Sequence, residues 1–254
     1  MTAMDNLSTA RKPASRVLAA VVIIIAGCAI AAVLAGFGHR WHWWDYRTGF
    51  LILRWSLYIA AGGGAVALIA FVAAAVHKHT ANILLGLVGA VLAAAMVLPA
   101  WQLEHVGSTV PRIHDITTDL DNPPAFVAIA PLRKDAPNPA AYDGPKVAAE
   151  QKTAYADIHP IQLALPPAQA YQRALDAARA MGWEIVADVP AEGRIEATDS
   201  TFWFGFKDDV VIRVTAAGAD SRVDVRSKSR IGRNDFGTNA KRIRAYTRKL
   251  EAAH

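Results

Sequence analysis

Three long apolar runs, Val17 to Phe37, Phe50 to Val76 and Ile83 to Ala100, occupy the first part of this 254-residue chain, and nothing comparable follows Trp101. Each reaches the roughly 18 apolar residues that mark a membrane-spanning helix. Lipid offers no hydrogen-bond partners, so the backbone of such a run must pair within itself, which excludes open strands and leaves helices. A hydrophobic content of 53% and a mean hydropathy of +0.20 average an apolar first part with a charged remainder. The chain therefore divides into a three-helix transmembrane domain (1–104), a proline-rich extended lead-in (105–158) and an α+β soluble domain (159–254), with the head as a unit covering about 106–254.

Arg11, Lys12 and Arg16 precede the first run as the n-region of a secretory signal would. The run is longer than the about 7–15 apolar residues of a signal and meets His39, Arg40 and Trp41 instead of a cleavage site, so the first helix is read as retained. Loop charges set orientation. Arg11, Lys12, Arg16 and Lys78 share one side against Arg40, Arg47 and Arg112 on the other. That balance places the amino terminus in the cytoplasm and the head in the periplasm, as an integral protein of a bacterial inner membrane. Cys28 is the single cysteine, so no intramolecular disulfide is available.

The connection from His39 to Arg47 is crowded with Trp41, Trp43, Trp44 and Tyr46, rings that gather where headgroups meet hydrocarbon. A helix over Phe50 to Val76 spans roughly 40 Å. It keeps His39 and His42 at the opposite membrane face from His77 and His79, so these pairs cannot share a metal. Arg54 can snorkel to the interface. Gly27, Ala31 and Ala35, with Ala60 and Gly64, have the spacing that lets helices approach closely. No charged path of the kind a transporter needs is visible in the spans.

In the lead-in, Pro111, Pro123, Pro124, Pro131, Pro137, Pro139 and Pro145 interrupt any long element, and a short helix is expected over Val147 to Tyr155. After His159 the pattern becomes regular. Ile161, Leu163 and Leu165 alternate as a strand; Pro167 opens a helix striped by Tyr171, Ala174, Leu175, Ala178 and Met181 and closed by Gly182. Alternation then predicts strands around Trp183–Ala187, Ile195–Ala197, Val210–Val214 and Val223–Val225. A final helix capped by Asn234 or Asp235 carries Phe236, Ala240, Ile243 and Leu250. The order β-α-β-β-β-β-α predicts an antiparallel sheet with two helices on one face. Its other face would be open and polar, presenting Glu184, Asp188, Arg194, Glu196, Arg213, Arg222, Asp224 and Arg226.

Few residues carry a chemical signal. His114 beside Asp115 has the makings of acid–base work, and Asp119, Asp121 and Asn122 could offer oxygens to a cation, but the EF-hand glycine and terminal glutamate are missing. Neither Ser227 nor Ser229 lies in a nucleophile-elbow motif. The candidate polar site comprises Arg112, His114, Asp115, Thr118, Asp119, Arg230, Asp235 and Asn239. Trp203, Phe204 and Phe206 surround a glycine, either closing one end of the core or forming a contact loop. Residues 222–249 hold ten basic side chains against two acidic ones, a local balance of +8. Of these, Lys241, Arg244 and Arg248 are candidates to face anionic headgroups, at about 1 kcal/mol each close to the surface. The strip lacks interleaved aromatic rings, so nucleic acid is not an expected partner. Neither a metal nor a cofactor is implied.

His114-Asp115-Ile116-Thr117-Thr118-Asp119 followed by Pro123-Pro124-Ala125-Phe126 resembles the bacterial and plastid family of domain of unknown function 1499. So do Tyr155-Ala156-Asp157-Ile158, Trp203-Phe204-Gly205-Phe206, Ser229-Arg230-Ile231-Gly232 and Asp235 to Arg244. The resemblance covers about Val110 to Leu250, departs from the family at Ala156, where a proline is expected, and implies no reaction. The expected function is a membrane-anchored, non-catalytic envelope protein whose head docks a protein partner or lipid headgroups. The alternative is an enzyme or small-ligand domain using His114, Asp115 and Asp119. Convergence of those residues with Arg230 in one pocket would favour the alternative, and dispersal among turns and ion pairs would favour docking.

Overall fold

The computed structural model describes the backbone of residues 3–252 and the side chains from Ser15 to Ala252, which leaves Arg11 and Lys12 outside the described side chains. It resolves into two compact units, residues 1–104 with 203–205, and residues 105–202 with 206–254.

In the first unit, helices α1 (Ala3–Arg40), α2 (Tyr46–Val76) and α3 (Thr80–Thr109) follow the three apolar runs. Each contains a stretch long and apolar enough to cross a membrane. Ile25, Ala60 and Ala93 form their buried contact, bordered by Val21, Cys28, Leu92 and Met96. Small residues make it possible. At Gly86 a Cβ atom would lie 2.8 Å from the Ala67 carbonyl oxygen. Ala35, Ala60 and Gly64 are buried, whereas Gly27 faces open space and takes no part. Asp45 caps α2, its carboxylate accepting from the Thr48 N–H at 2.9 Å. In the same loop the Trp44 ring turns inward to donate to the Ala35 carbonyl at 3.1 Å, while Trp41 and Trp43 stay exposed with their rings 5.0 Å apart.

Residues 203–205 belong to this unit. Trp203 Nε1 donates to the Val33 carbonyl at 2.8 Å, and the Phe204 ring is buried with its centroid 5.0 Å from that of Phe50. The expectation that these rings close the head's core is therefore corrected for Trp203 and Phe204, which find their apolar surroundings among the helices.

The second unit is built on an antiparallel six-stranded sheet of β1 (Asp115–Thr117), β2 (Ile161–Leu163), β3 (Glu184–Val189), β4 (Arg194–Ser200), β5 (Lys207–Ala217) and β6 (Asp220–Ser229). The order is β1-β6-β5-β4-β3, with β2 beside β1 along the same edge of β6: β1 pairs with 226–228 and β2 with 221–223. Strands β2 to β6 coincide with the alternating segments. The three-residue β1, too short to show a period, is an addition. Gly218, at φ +71°, makes the tight β5–β6 turn. Helices α5 (Pro167–Ala180) and α6 (Thr238–Ala252) cover one face, where Trp183 stacks on Tyr246 at 5.3 Å above Val210, Ile212, Val223 and Val225. Helix α4 (Pro145–Ala154) lies at the β1 edge. Its Gln151 amide accepts from the Thr117 N–H at 3.0 Å and donates to the Thr117 carbonyl at 2.6 Å, as a neighbouring strand would.

The opposite face is not open. Residues 118–143 lie across it, with Phe126 and Ile129 packed on Val211 in a second apolar cluster. Much of the expected polar surface is thus an interior layer in which Glu196, Asp209, Asp224, Arg226 and Lys228 are all buried, whereas Glu184 and Asp188 on β3 stay exposed, Asp188 accepting from the Tyr171 hydroxyl of α5. The cause is the lead-in itself. Its prolines deny it a regular ladder, so its backbone groups need partners from elsewhere when covered. The sheet's charged side chains supply them.

Candidate functional site

Glu196 on β4 accepts three consecutive backbone N–H groups, from Val127 and Ala128 at 3.0 Å and from Ile129 at 2.8 Å, and also pairs with Arg194. Arg133 reaches back from the lead-in, donating to Asp209 at 2.8 Å and to the carbonyls of Asn138, Lys228 and Ser229. Burial lowers its pKa while the Asp209 carboxylate opposes the shift. On β6, Arg226 grips Asp115 through two 2.8 Å bonds, donates to the Pro124 and Ala140 carbonyls, and stacks on Phe126 and Tyr142. The fully buried Lys228 ammonium bonds Asp143 at 2.6 Å and the Ala141 carbonyl at 2.7 Å, with Asp115 at 3.3 Å. Beside these charges burial pushes the Tyr142 hydroxyl up to about 12.

The candidate polar residues do not converge in one pocket, although Asn239 bonds both the Asp235 carboxylate, through its N–H, and the His114 carbonyl, through its side-chain amide. His114 Nε2 stands 3.2 Å from Asp143 but makes no well-directed hydrogen bond. Asp115 serves Arg226 and Lys228; Arg230 serves Asp209 through two 2.8 Å bonds. Asp119 closes its own turn by accepting from the Asp121 and Asn122 N–H groups, and its second oxygen pairs with Arg213 and Arg222. Burial raises its pKa, but the Asn122 N–H and the two guanidinium groups outweigh that and hold it below the ordinary range.

Thr118 is a ladder substitute. Between β1 and β2 its N–H donates to the Val225 carbonyl at 2.9 Å and its hydroxyl accepts from the Val225 N–H at 2.8 Å. Asp235 caps α6, accepting from the Gly237 and Asn239 N–H groups, and burial raises its pKa. Asn239 lies on the helix side, bonding Ser227, Ser229 and Arg242. Arg112 is exposed. Among the described residues no group of three or more His, Cys, Asp or Glu is placed to hold a metal ion.

Of the candidate contact loop, Trp203 and Phe204 lie in the first unit, whereas Phe206 is a half-buried residue of the second. On α6, Lys241 and Arg248 are exposed, but Arg244 is bound to Asp157 at 2.6 and 2.7 Å. Arg222, Arg226, Lys228, Arg230 and Arg242 also have carboxylate partners, so much of the apparent +8 strip is neutralised within the head. Sequence reasoning missed Arg133, Asp143 and Asp209. Charge gives no period when it points inward, and the one available signal was a lone arginine among prolines.

Among the accessible hollows of the head is a groove beside the β1–β2 junction. Two adjoining hollows of about 580 and 740 Å³ share Thr118, Ile158, His159 and Pro160. Arg244, Arg248 and Glu251 flank one, and Asp119, Lys152 and Arg222 the other. The groove has an apolar floor and rims of both signs.

Residues 115–250 match the family described as "Protein of unknown function (DUF1499)", more than half of the chain. No curated protein matches it.

Proposed function

The chain belongs to the DUF1499 family, whose description names no reaction, and on that premise we propose that it is a membrane-anchored docking protein of the cell envelope. Its head binds a partner rather than turning over a substrate. The observation that supports this reading is that the four do not share a pocket: His114 and Asp115 belong to one buried cluster through Asp143 and Lys228, Asp119 pairs with Arg213 and Arg222, and Arg230 pairs with Asp209. A general acid or base must reach a substrate proton within about 3 Å or through one water, and Asp115 is fully buried. An enzyme built on these groups would first have to dismantle the layer that holds the lead-in.

The groove at Thr118, Ile158, His159 and Pro160 is the docking surface, and its apolar floor with mixed-sign rims suits an extended segment of a partner protein. The loop-charge balance favours an amino terminus in the cytoplasm and a head in the periplasm. A photo-crosslinking amino acid at His159 of the full chain in intact membranes should give a discrete adduct that the same probe at exposed Thr215 does not. The absence of any adduct specific to His159 would refute docking at the groove.

A further inference from the structure

One wall of the groove is the free edge of β2, and we propose, on the premise that a partner docks there, that its extended segment adds a strand to the sheet by pairing its main chain with Gln162. Which backbone groups face the groove follows from the antiparallel ladder, where successive residues turn their N–H and C=O groups to opposite sides. At the end of β6 the Arg230 N–H donates to the Lys207 carbonyl of β5 at 3.0 Å, and the Ser229 N–H donates the other way, to the His114 carbonyl at 3.0 Å. Even-numbered residues of β6 therefore serve β5, and odd-numbered ones serve the edge that β1 and β2 share. Val225 conforms: its carbonyl accepts from the Thr118 N–H at 2.9 Å and its N–H donates to the Thr118 hydroxyl at 2.8 Å.

In this register Ile161 and Leu163 stand opposite Val223 and Ser221, and their backbone groups are used on β6. Gln162 stands opposite Arg222, whose groups go to Thr215 of β5. The Gln162 N–H and C=O consequently point away from the sheet, and among the described residues nothing bonds them. Thr117 holds the corresponding outward position on β1, and there the Gln151 amide takes both groups, at 3.0 and 2.6 Å. One end of the edge is thus closed by an amide of the head itself. The other presents the same donor and acceptor to the groove, which Gln162 lines together with Ile161.

A donor and an acceptor spaced as on one extended residue are matched by the C=O and N–H of another extended chain, so the occupant is a peptide segment. Its side chains are constrained as well. When one residue pairs with Gln162, its two neighbours fall on the same side of the sheet as Ile161, the side covered by α6, where Ile158 and Ile243 form the floor. Apolar side chains suit those two positions. On the rim Arg244 is committed to Asp157, whereas Arg248 is exposed and no described carboxylate pairs with it. An acidic side chain of the segment would meet that charge.

The test uses the full chain in intact membranes with the photo-crosslinking amino acid at His159. Gln162→Pro removes the outward N–H at a position where an edge strand accepts proline, and should cut the adduct yield at least about fivefold. Gln162→Ala keeps both backbone groups and should retain the adduct. Hydrogen exchange on the purified wild-type adduct should show the Gln162 amide slowed relative to the uncrosslinked chain, a reading that holds even where Gln162→Pro disturbs β2. An undiminished yield in Gln162→Pro, loss of the adduct in Gln162→Ala, or an unslowed Gln162 amide overturns strand pairing and leaves docking at the groove standing. Absence of any His159-specific adduct in the wild type refutes both.

Discussion

Replacing Arg226 with methionine should release the lead-in from the sheet. The guanidinium is 2% exposed, with both Asp115 oxygens at 2.8 Å and the Pro124 and Ala140 carbonyls at 3.2 and 3.1 Å. Removing one partner of a buried pair costs about 3–5 kcal/mol because the other charge is left uncompensated. Here Lys228 still faces Asp115 at 3.3 Å, so the lower end, ~3 kcal/mol, is the expected loss. Opening of residues 123–143 then becomes about 150-fold more frequent, read by hydrogen exchange and mass spectrometry on the full chain. The companion double variant Arg226→Met/Asp115→Leu removes both charges and should recover most of the loss, since apolar replacement of a whole buried pair is often neutral or better. An exchange rate over 123–143 that stays within about threefold of wild type in Arg226→Met would refute the claim that this pair fastens the segment.

Thr118→Val keeps the shape but leaves the Val225 N–H without its 2.8 Å acceptor, a loss of about 1–3 kcal/mol in a denaturant titration; Thr118→Ser should lose less than half of that. Gly86→Val forces side-chain atoms against the Ala67 carbonyl, 2.8 Å from the first added carbon. It should lower the thermal transition of the detergent-solubilised chain while hydrogen exchange in β5 and β6 stays unchanged. Two aspartates give opposite pH signatures. Asp119 has a depressed folded pKa, so its contribution is complete above the unfolded value near 3.9 and is lost as pH falls through the folded one. Asp235 has a raised pKa, so its ionisation costs stability increasingly as pH rises from the unfolded value to the folded one, and constantly above that. Asp235→Asn removes the charge but leaves one oxygen for the two N–H groups of Gly237 and Asn239, so its effect on stability should be more favourable at pH 7 than below about pH 3.5; an equal effect at both pH values would contradict the assignment.

The helices and longer strands were legible because period carries them. Apolar residues at lipid length, the Tyr171–Ala178 stripe and the alternation of Val210, Ile212 and Val214 each point to one conformation. Burial on the second sheet face was not legible for a definite reason. Arg213, Arg222, Asp224 and Arg226 alternate with apolar neighbours as a solvent-facing set would, and alternation records which residues share a face, not what covers that face. The short β1 was missed because Asp115-Ile116-Thr117 has no room for a period; it is held from outside by Gln151 and β6.

The inward turn of these charges decides what the head can offer. Six-stranded sheets with helices on one face ordinarily leave the other for solvent or a ligand, but here that face fastens the head's own proline-rich segment, and the charges that looked available to a substrate are spent on its carbonyls and N–H groups. Each such residue is therefore a stability residue. Substituting Arg133, Asp209 or Glu196 should open the lead-in in the same hydrogen-exchange assay, whereas substituting His159, on the groove, or the exposed Arg233 should leave that protection intact. A substitution that abolishes partner capture without loosening residues 123–143 then maps to the head's outer surface, with the groove at His159 as the first place to look, and one that loosens them says nothing about recognition.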